Sequence, residues 1–327
     1  MEVTERCNVR CGHCYINQSV GDQSVREQEL TTDEIKDILD QITDAGCLWL
    51  LLTGGEVFIR PDFIEIYKYA KQKGLLLTLF SNGTTITPKI ADTLAEWPPF
   101  AMEISIYGST EATYERVTGV SGAYQRAMRG IALLQARQVP LKLKTTVTKD
   151  NYHEVADMQA LAQNLGTSFR FDAVLNMRLD GTHSPAQYRL QPKDVVALDS
   201  ISVARKQVWQ DTFKQPPKTP PQPDNLYYCG AGINTFHIDA YGNLSVCMMA
   251  RANSYSLRDG TFDDGWQNAL NIEQSRIRQK MSPCQTCNIG SACPQCPGLA
   301  FIETGDPEQR IDYLCEITHL RAETFRA

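Results

Sequence analysis

The sequence predicts an α/β fold: a partial (βα)6 TIM-like barrel followed by a small, cysteine-rich α+β domain. Three observations carry the prediction. Short apolar runs alternate with amphipathic helical stretches from Met1 to about Ala173, the pattern of parallel strands joined by right-handed crossovers. A segment from Lys214 to Asp224 holds five prolines in eleven residues, which forbids continuous helix or sheet and marks a boundary. Beyond it, seven of the eleven cysteines fall between Cys229 and Cys315.

The predicted strands are 2–5, 47–53, 75–81, 101–106, 141–147 and 167–173. Helices are predicted between them at 32–45, 61–72, 88–97, 122–135 and 151–165. In the first of these, Ile35, Ile38, Leu39 and Ile42 keep the spacing of one helical face, and Thr31 with Glu34 has the signature of a capping box. A further helix is predicted from 192 to about 210. Two short strands follow within 234–248 around Asp239-Ala-Tyr-Gly-Asn243, a turn whose glycine can take positive φ. A last helix is predicted from about Glu316. The domains are accordingly 1–175, a helix and proline-rich linker at 176–228, and 229–327.

A chain of 327 residues has the length of about two domains. Lys and Arg number 32 against 38 Asp and Glu, a net charge of −6, which argues against a nucleic-acid backbone as partner. No apolar run approaches the ~18 residues of a membrane span. No basic stretch followed by an apolar one opens the chain, so a cytoplasmic location is expected.

The cysteines carry the chemistry. Cys7, Cys11 and Cys14 fall within eight residues just after the first predicted strand, at the end of the sheet where α/β folds bind ligands. Three thiolates can hold a [4Fe–4S] cluster with one iron open to another ligand. The alternatives are a three-cysteine zinc site with a distant fourth ligand, or buried apolar thiols.

The CxxxCxxC spacing, with Tyr15 following, resembles the signature of the radical S-adenosylmethionine (SAM) enzymes, and the resemblance extends in order along most of the chain. Leu52-Thr-Gly-Gly-Glu56 is similar to the family's GGE segment. The resemblance implies that Gly54, Gly55 and Glu56 hold the methionine amino group of SAM. Phe80-Ser-Asn-Gly-Thr84 and Ile104-Ser-Ile-Tyr-Gly108 resemble segments that contact the adenosyl moiety, which makes Ser81, Asn82 and Ser105 candidate ribose or carboxylate contacts. His13 matches a position where the family often carries an aromatic near adenine. Ordinary strand-end turns are the competing explanation for these residues.

Cys229, Cys247, Cys284-x2-Cys287, Cys293-x2-Cys296 and Cys315 resemble the SPASM extension of these enzymes, except that the commonest pattern has three residues between the fifth and sixth cysteines. By that resemblance Cys284, Cys287, Cys293 and Cys315 close one auxiliary Fe–S cluster. Cys229, Cys247 and Cys296 hold a second, with an open iron or a non-cysteine ligand, for which His237 is near in sequence. Two zinc sites are the alternative. Cys47 is left over, a small core residue or a hydrogen donor. Tyr107, Tyr114, Tyr124 and Tyr188 could line a cavity or simply fill the core.

The resemblance implies a reduced cluster that cleaves SAM to a 5′-deoxyadenosyl radical, which removes a hydrogen atom from an unactivated C–H bond. It further implies a peptide substrate, matured by thioether or carbon–carbon crosslinking. Oxidation of a protein Ser or Cys, or of a small molecule such as a haem precursor, is the second reading. A non-catalytic zinc or Fe–S scaffold is the competing class. A flavodoxin or ferredoxin is the expected electron donor. Only six residues precede Cys7, so a separate recognition protein is expected to present the peptide.

Overall fold

The computed structural model describes residues 1–16, 18–215 and 224–326. The chain order opens with a small parallel ladder, β1 (Arg6–Cys7) against β2 (Gln18–Ser19), that frames the first cysteine loop. The main sheet follows: β3 (Trp49–Leu52), β4 (Leu76–Ser81), β5 (Ala101–Ser105), β6 (Leu141–Thr146) and β7 (Ser168–Asp172). They lie side by side in sequence order, every pair parallel, in an α/β fold. Each lies inside a predicted strand.

The first predicted strand, 2–5, is reduced to a parallel bridge between Glu2 and Thr53. The reason is local. Val3 N–H donates to Thr53 O at 2.9 Å and Thr53 N–H to Met1 O at 3.0 Å, but the backbone then turns at Gly54, whose φ is +149°. Gly55 and Glu56 instead donate to Thr4 O and Arg6 O at 2.8 and 3.0 Å, so pairing continues around a bend and not along a strand.

The helix Thr32–Asp44 has the expected capping box and buries Ile35, Ile38, Leu39 and Ile42. A helix that the sequence reading did not assign, Glu111–Thr118, is capped by Thr110 and closed by Gly119 at φ +64°. The predicted helix 192–210 is two, Pro192–Asp199 and Val203–Lys214, because Ser202 accepts from Arg205 N–H and starts a new one. Most of the proline-rich linker lies outside the described residues.

The hairpin is present: β8 (His237–Ile238) and β9 (Asn243–Ser245) are antiparallel, Gly242 takes φ +90°, and β10 (Tyr255–Ser256) adds a third strand. The terminal helix begins earlier than expected, at Asp312–Phe325. Arg321 on it donates to buried Asp199 at 2.8 Å. The cysteine-rich region does not stand alone on its thiols. Leu226, Ile238, Leu244, Val246 and Phe262 join the same buried core as the sheet residues Leu52, Leu77 and Ile104.

Candidate active site

The carboxyl ends of the parallel strands surround a cavity of about 380 Å³. Cys7 arrives on β1, while Cys11 and Cys14 come from the loop after it, where Cys14 N–H closes a turn onto Cys11 O at 3.1 Å. All three thiols line the cavity. Burial pushes the Cys7 thiol up to about 12, with the nearby Glu56 carboxylate and Cys14 adding to it. Burial likewise drives Cys11 well above the ordinary thiol range, and Cys14 and Cys7 add to it. Three neighbouring thiols in so dry a setting become thiolates when a cationic centre compensates their charge. A cluster site fits that chemistry.

Gly54, Gly55, Ser81, Asn82, Ser105 and His13 line the same cavity, so six of the seven expected cofactor contacts converge with the cysteine triad. The two glycines have a reason the sequence did not supply. A Cβ on Gly54 would lie 2.0 Å from Thr4 O, and one on Gly55 2.2 Å from Arg6 O. The close approach they permit is to the backbone that leads into Cys7.

Glu56, the remaining expected contact, does not line the cavity. Its side chain is fully buried and stands behind the cavity wall. The carboxylate accepts from Asn82 N–H at 2.7 Å, Ser81 Oγ at 2.9 and 3.1 Å, Phe58 N–H at 3.3 Å and Thr85 Oγ1 at 3.3 Å. Burial raises its pKa, and these donors oppose the rise. Geometrically it is a bracket that fixes the Gly-Gly turn to the end of β4. Asn82 extends the bracket, donating to Asn8 Oδ1 at 2.9 Å and reaching Cys7 Sγ at 3.7 Å.

His13 is buried with its ring 5.1 Å from that of Tyr107. Burial lowers its pKa to about 4, so the imidazole is neutral at pH 7. Tyr107 is the one of the four flagged tyrosines that lines the cavity. Tyr188 packs onto Gly12, its hydroxyl 2.2 Å from where a Cβ would sit.

The sequence reading missed the far wall. Lys144, Arg170 and Asp172 line the cavity from β6 and β7, and Met248 and Met249 close it from the chain after Cys247. The alternation Leu141-Lys-Leu-Lys144 was the available signal: leucines on one face of a strand leave both lysines on the other.

The carboxyl-terminal cysteines fall into two neighbourhoods. Cys315 feels the thiols of Cys293, Cys284 and Cys287, and all four line a second cavity of about 130 Å³ that Cys296 also borders. Cys296 feels Cys247 and Cys229. Among the described residues no three His, Cys, Asp or Glu side chains are drawn to the spacing of a single metal ion. His237 is turned toward Glu2, with Nε2 3.5 Å from its carboxylate and Nδ1 3.3 Å from Ser245 Oγ. Cys47 is half-buried at the start of β3, its thiol 3.4 Å from Trp49 O, and takes no part in the cavity.

Residues 1–162 match the radical SAM superfamily. The chain is a radical SAM enzyme. Over 93% of its length it is 29% identical to the AdoMet-dependent heme synthase of Methanosarcina barkeri, covering 92% of that protein. It is also 29% identical to the mycofactocin maturase MftC of Mycobacterium ulcerans, over 89% of this chain and 80% of that one. Streptococcus suis SuiB, solved with its precursor peptide SuiA, shares the radical SAM fold with a TM-score of 0.73 at 16% identity, over 96% of this chain and 74% of that one. A [4Fe–4S] cluster and SAM are the cofactors of this superfamily, and the triad and cavity described above fit them. Among the described residues no helix is long and apolar enough to cross a membrane.

Proposed function

We propose that this radical SAM enzyme matures a peptide by abstracting a hydrogen atom and forming a thioether or carbon–carbon crosslink. The observation that carries the reading is the single cavity shared by the Cys7, Cys11 and Cys14 triad, the Gly54-Gly55 turn and the Met248-Met249 wall. When bound, the cluster and SAM supply one-electron chemistry strong enough to break an unactivated C–H bond. The protein's part is to hold SAM at Gly54, Gly55, Ser81, Asn82 and Ser105, to keep His13 neutral beside it, and to exclude water from the reacting carbon. The likeness to the maturase MftC, together with the fold shared with SuiB and its precursor peptide, supports a peptide substrate.

Residues 1–175 form the catalytic barrel, 176–228 the connection and 229–327 the auxiliary-cluster domain. There Cys284, Cys287, Cys293 and Cys315 hold one Fe–S cluster, and Cys229, Cys247 and Cys296 hold another that carries away the second electron or binds a substrate thiol. A flavodoxin or ferredoxin in the cytoplasm supplies the first electron, and a separate recognition protein presents the peptide.

The second reading, oxidation of a haem precursor, is favoured by the heme synthase likeness over nearly the whole chain. One experiment separates them. The anaerobically reconstituted enzyme is supplied with dithionite, SAM and either candidate precursor peptides encoded beside its gene or an iron porphyrin. Peptide product two hydrogens lighter, formed in step with 5′-deoxyadenosine, supports maturation. Porphyrin turnover with no peptide product overturns it.

A further inference from the structure

Three parallel strands bring Ser105, Lys144 and Arg170 into one row, Ser105 opposite Lys144 and Lys144 opposite Arg170. Lys144 and Arg170 both line the main cavity. Behind them stands Glu103, whose side chain is only 12% exposed and which Arg170 already grips, Nη2 and Nε donating to Oε2 at 2.5 and 3.2 Å. The Lys144 ammonium, on a side chain only 15% exposed, is 3.8 Å from the same oxygen, beyond hydrogen-bond reach, and otherwise rests on the Phe80 ring. Two cations thus share one carboxylate. Asp172, the other acid at this wall, is paired with Thr146, two residue pairs along the sheet and roughly 7 Å away along β7, and accepts from Val174 N–H at 2.9 Å.

A poorly hydrated ammonium with an incomplete partner is costly unless an anion completes it. The cost is visible in its protonation: burial, with Arg170 adding to it and Glu103 opposing, pulls Lys144 well below the ordinary lysine range. Val174, Leu175, Met248 and Met249 give this side an apolar surface, interrupted by Thr145, Thr146 and Asn176. A ligand with an apolar body and one carboxylate would satisfy both surfaces.

We propose that Lys144, backed by Arg170, anchors a carboxylate of the substrate and so fixes which of its carbons faces the Cys7, Cys11 and Cys14 triad. The proposal rests on the reading of this cavity as the substrate site. For a peptide the carboxylate is its carboxyl terminus, and for a small molecule it is an acid side arm. The charge-assisted bond gives on the order of a tenfold preference for an acid over its amide.

The test is acylation of the anaerobically reconstituted enzyme with acetic anhydride at neutral pH, with Lys144 followed by peptide mass spectrometry. N-acetylalanine stands for a peptide terminus and propionate for an acid side arm, each compared with its own amide and with SAM alone. Protection of Lys144 by an acid but not by its amide supports the anchor, and the more protective acid names the source. Equal protection by acid and amide, no protection, or protection by SAM alone overturns it, the last by giving Lys144 to the cofactor. Should Lys144 resist acylation, paramagnetic broadening of carboxyl-labelled propionate by the reduced enzyme replaces the readout. Broadening that Lys144→Met abolishes without loss of iron supports the anchor, and broadening that persists in Lys144→Met overturns it. SAM cleavage by the same preparation tests the functional reading separately: cleavage with no acid effect defeats the anchor alone.

Discussion

Arg251 sets its Nη2 2.8 Å from each oxygen of the fully buried Glu2. The pair joins the segment that leads into the Cys7 loop to the chain that follows Cys247. Tyr15, next to Cys14, donates to Glu2 at 3.3 Å, and Arg251 also reaches Glu5 at 3.4 Å. Burial works against charge on Glu2, but His237 and Arg251 outweigh it and hold its pKa at about 2.

That depressed value fixes the sign of a pH dependence. A carboxylate with a folded pKa of about 2 against an ordinary value of 4.5 contributes stability above pH 4.5 and loses it as the pH falls toward 2. Urea midpoints should drop over that window in the wild type. The drop should be smaller in Glu2→Gln. Arg251→Met leaves a buried carboxylate without its cation and should cost about 3–5 kcal/mol at neutral pH. An unchanged midpoint would show the pair to be dispensable.

Gly55→Ala should act on the cluster and not on the cofactor alone. The added methyl meets Arg6 O at 2.2 Å, and backbone cannot yield as a flexible side chain can. The reconstituted variant is expected to hold less iron, with the loss confined to the signal that also disappears on joint replacement of Cys7, Cys11 and Cys14. Iron analysis with visible and paramagnetic resonance spectra decides the matter.

Glu56→Gln tests the bracket. The amide group that replaces one carboxylate oxygen presents a donor to Ser81 Oγ–H or Asn82 N–H, leaving a buried donor unpaired at about 1–3 kcal/mol. Melting temperature and SAM affinity should therefore fall together. A variant of normal stability that binds SAM tenfold more weakly would instead place the carboxylate on the cofactor.

The two carboxyl-terminal neighbourhoods should come apart spectroscopically. Cys315→Ser is expected to perturb one auxiliary signal and Cys247→Ser the other, with SAM cleavage surviving both. One common signal lost in either variant would contradict two separate auxiliary clusters.

Much of this was legible beforehand because it is written in local pattern. The strands and the Thr31 cap follow from apolar periodicity and capping chemistry, whereas the grouping of the cysteines is only what the family resemblance implies. What escaped is set by strand register and by distant contacts. Nothing adjacent to Glu56 announces that Ser81, Asn82 and Thr85 will occupy its oxygens. Lys144 reads as surface until the sheet curls and places it opposite Arg170. Met248 and Met249 read as neighbours of a ligand cysteine, and only the docking of the hairpin makes them a wall. His237 was drawn toward a cluster by sequence proximity, whereas burial beside Glu2 determines where it points.

The placement of residues 2–5 has a further consequence for how the enzyme is made. Glu2 N–H donates to Ile238 O at 2.8 Å, and Tyr241 donates to Glu5 at 2.9 Å. Glu2 and Glu5 therefore wait for partners more than 230 positions later in the chain. Such long-range contacts form late. Until Arg251 has been synthesised, the Cys7 loop lacks the lock that Arg251 provides, and its thiols stay open to whatever machinery delivers iron and sulfide. Ordering of the loop then signals that the chain has been made as far as Arg251.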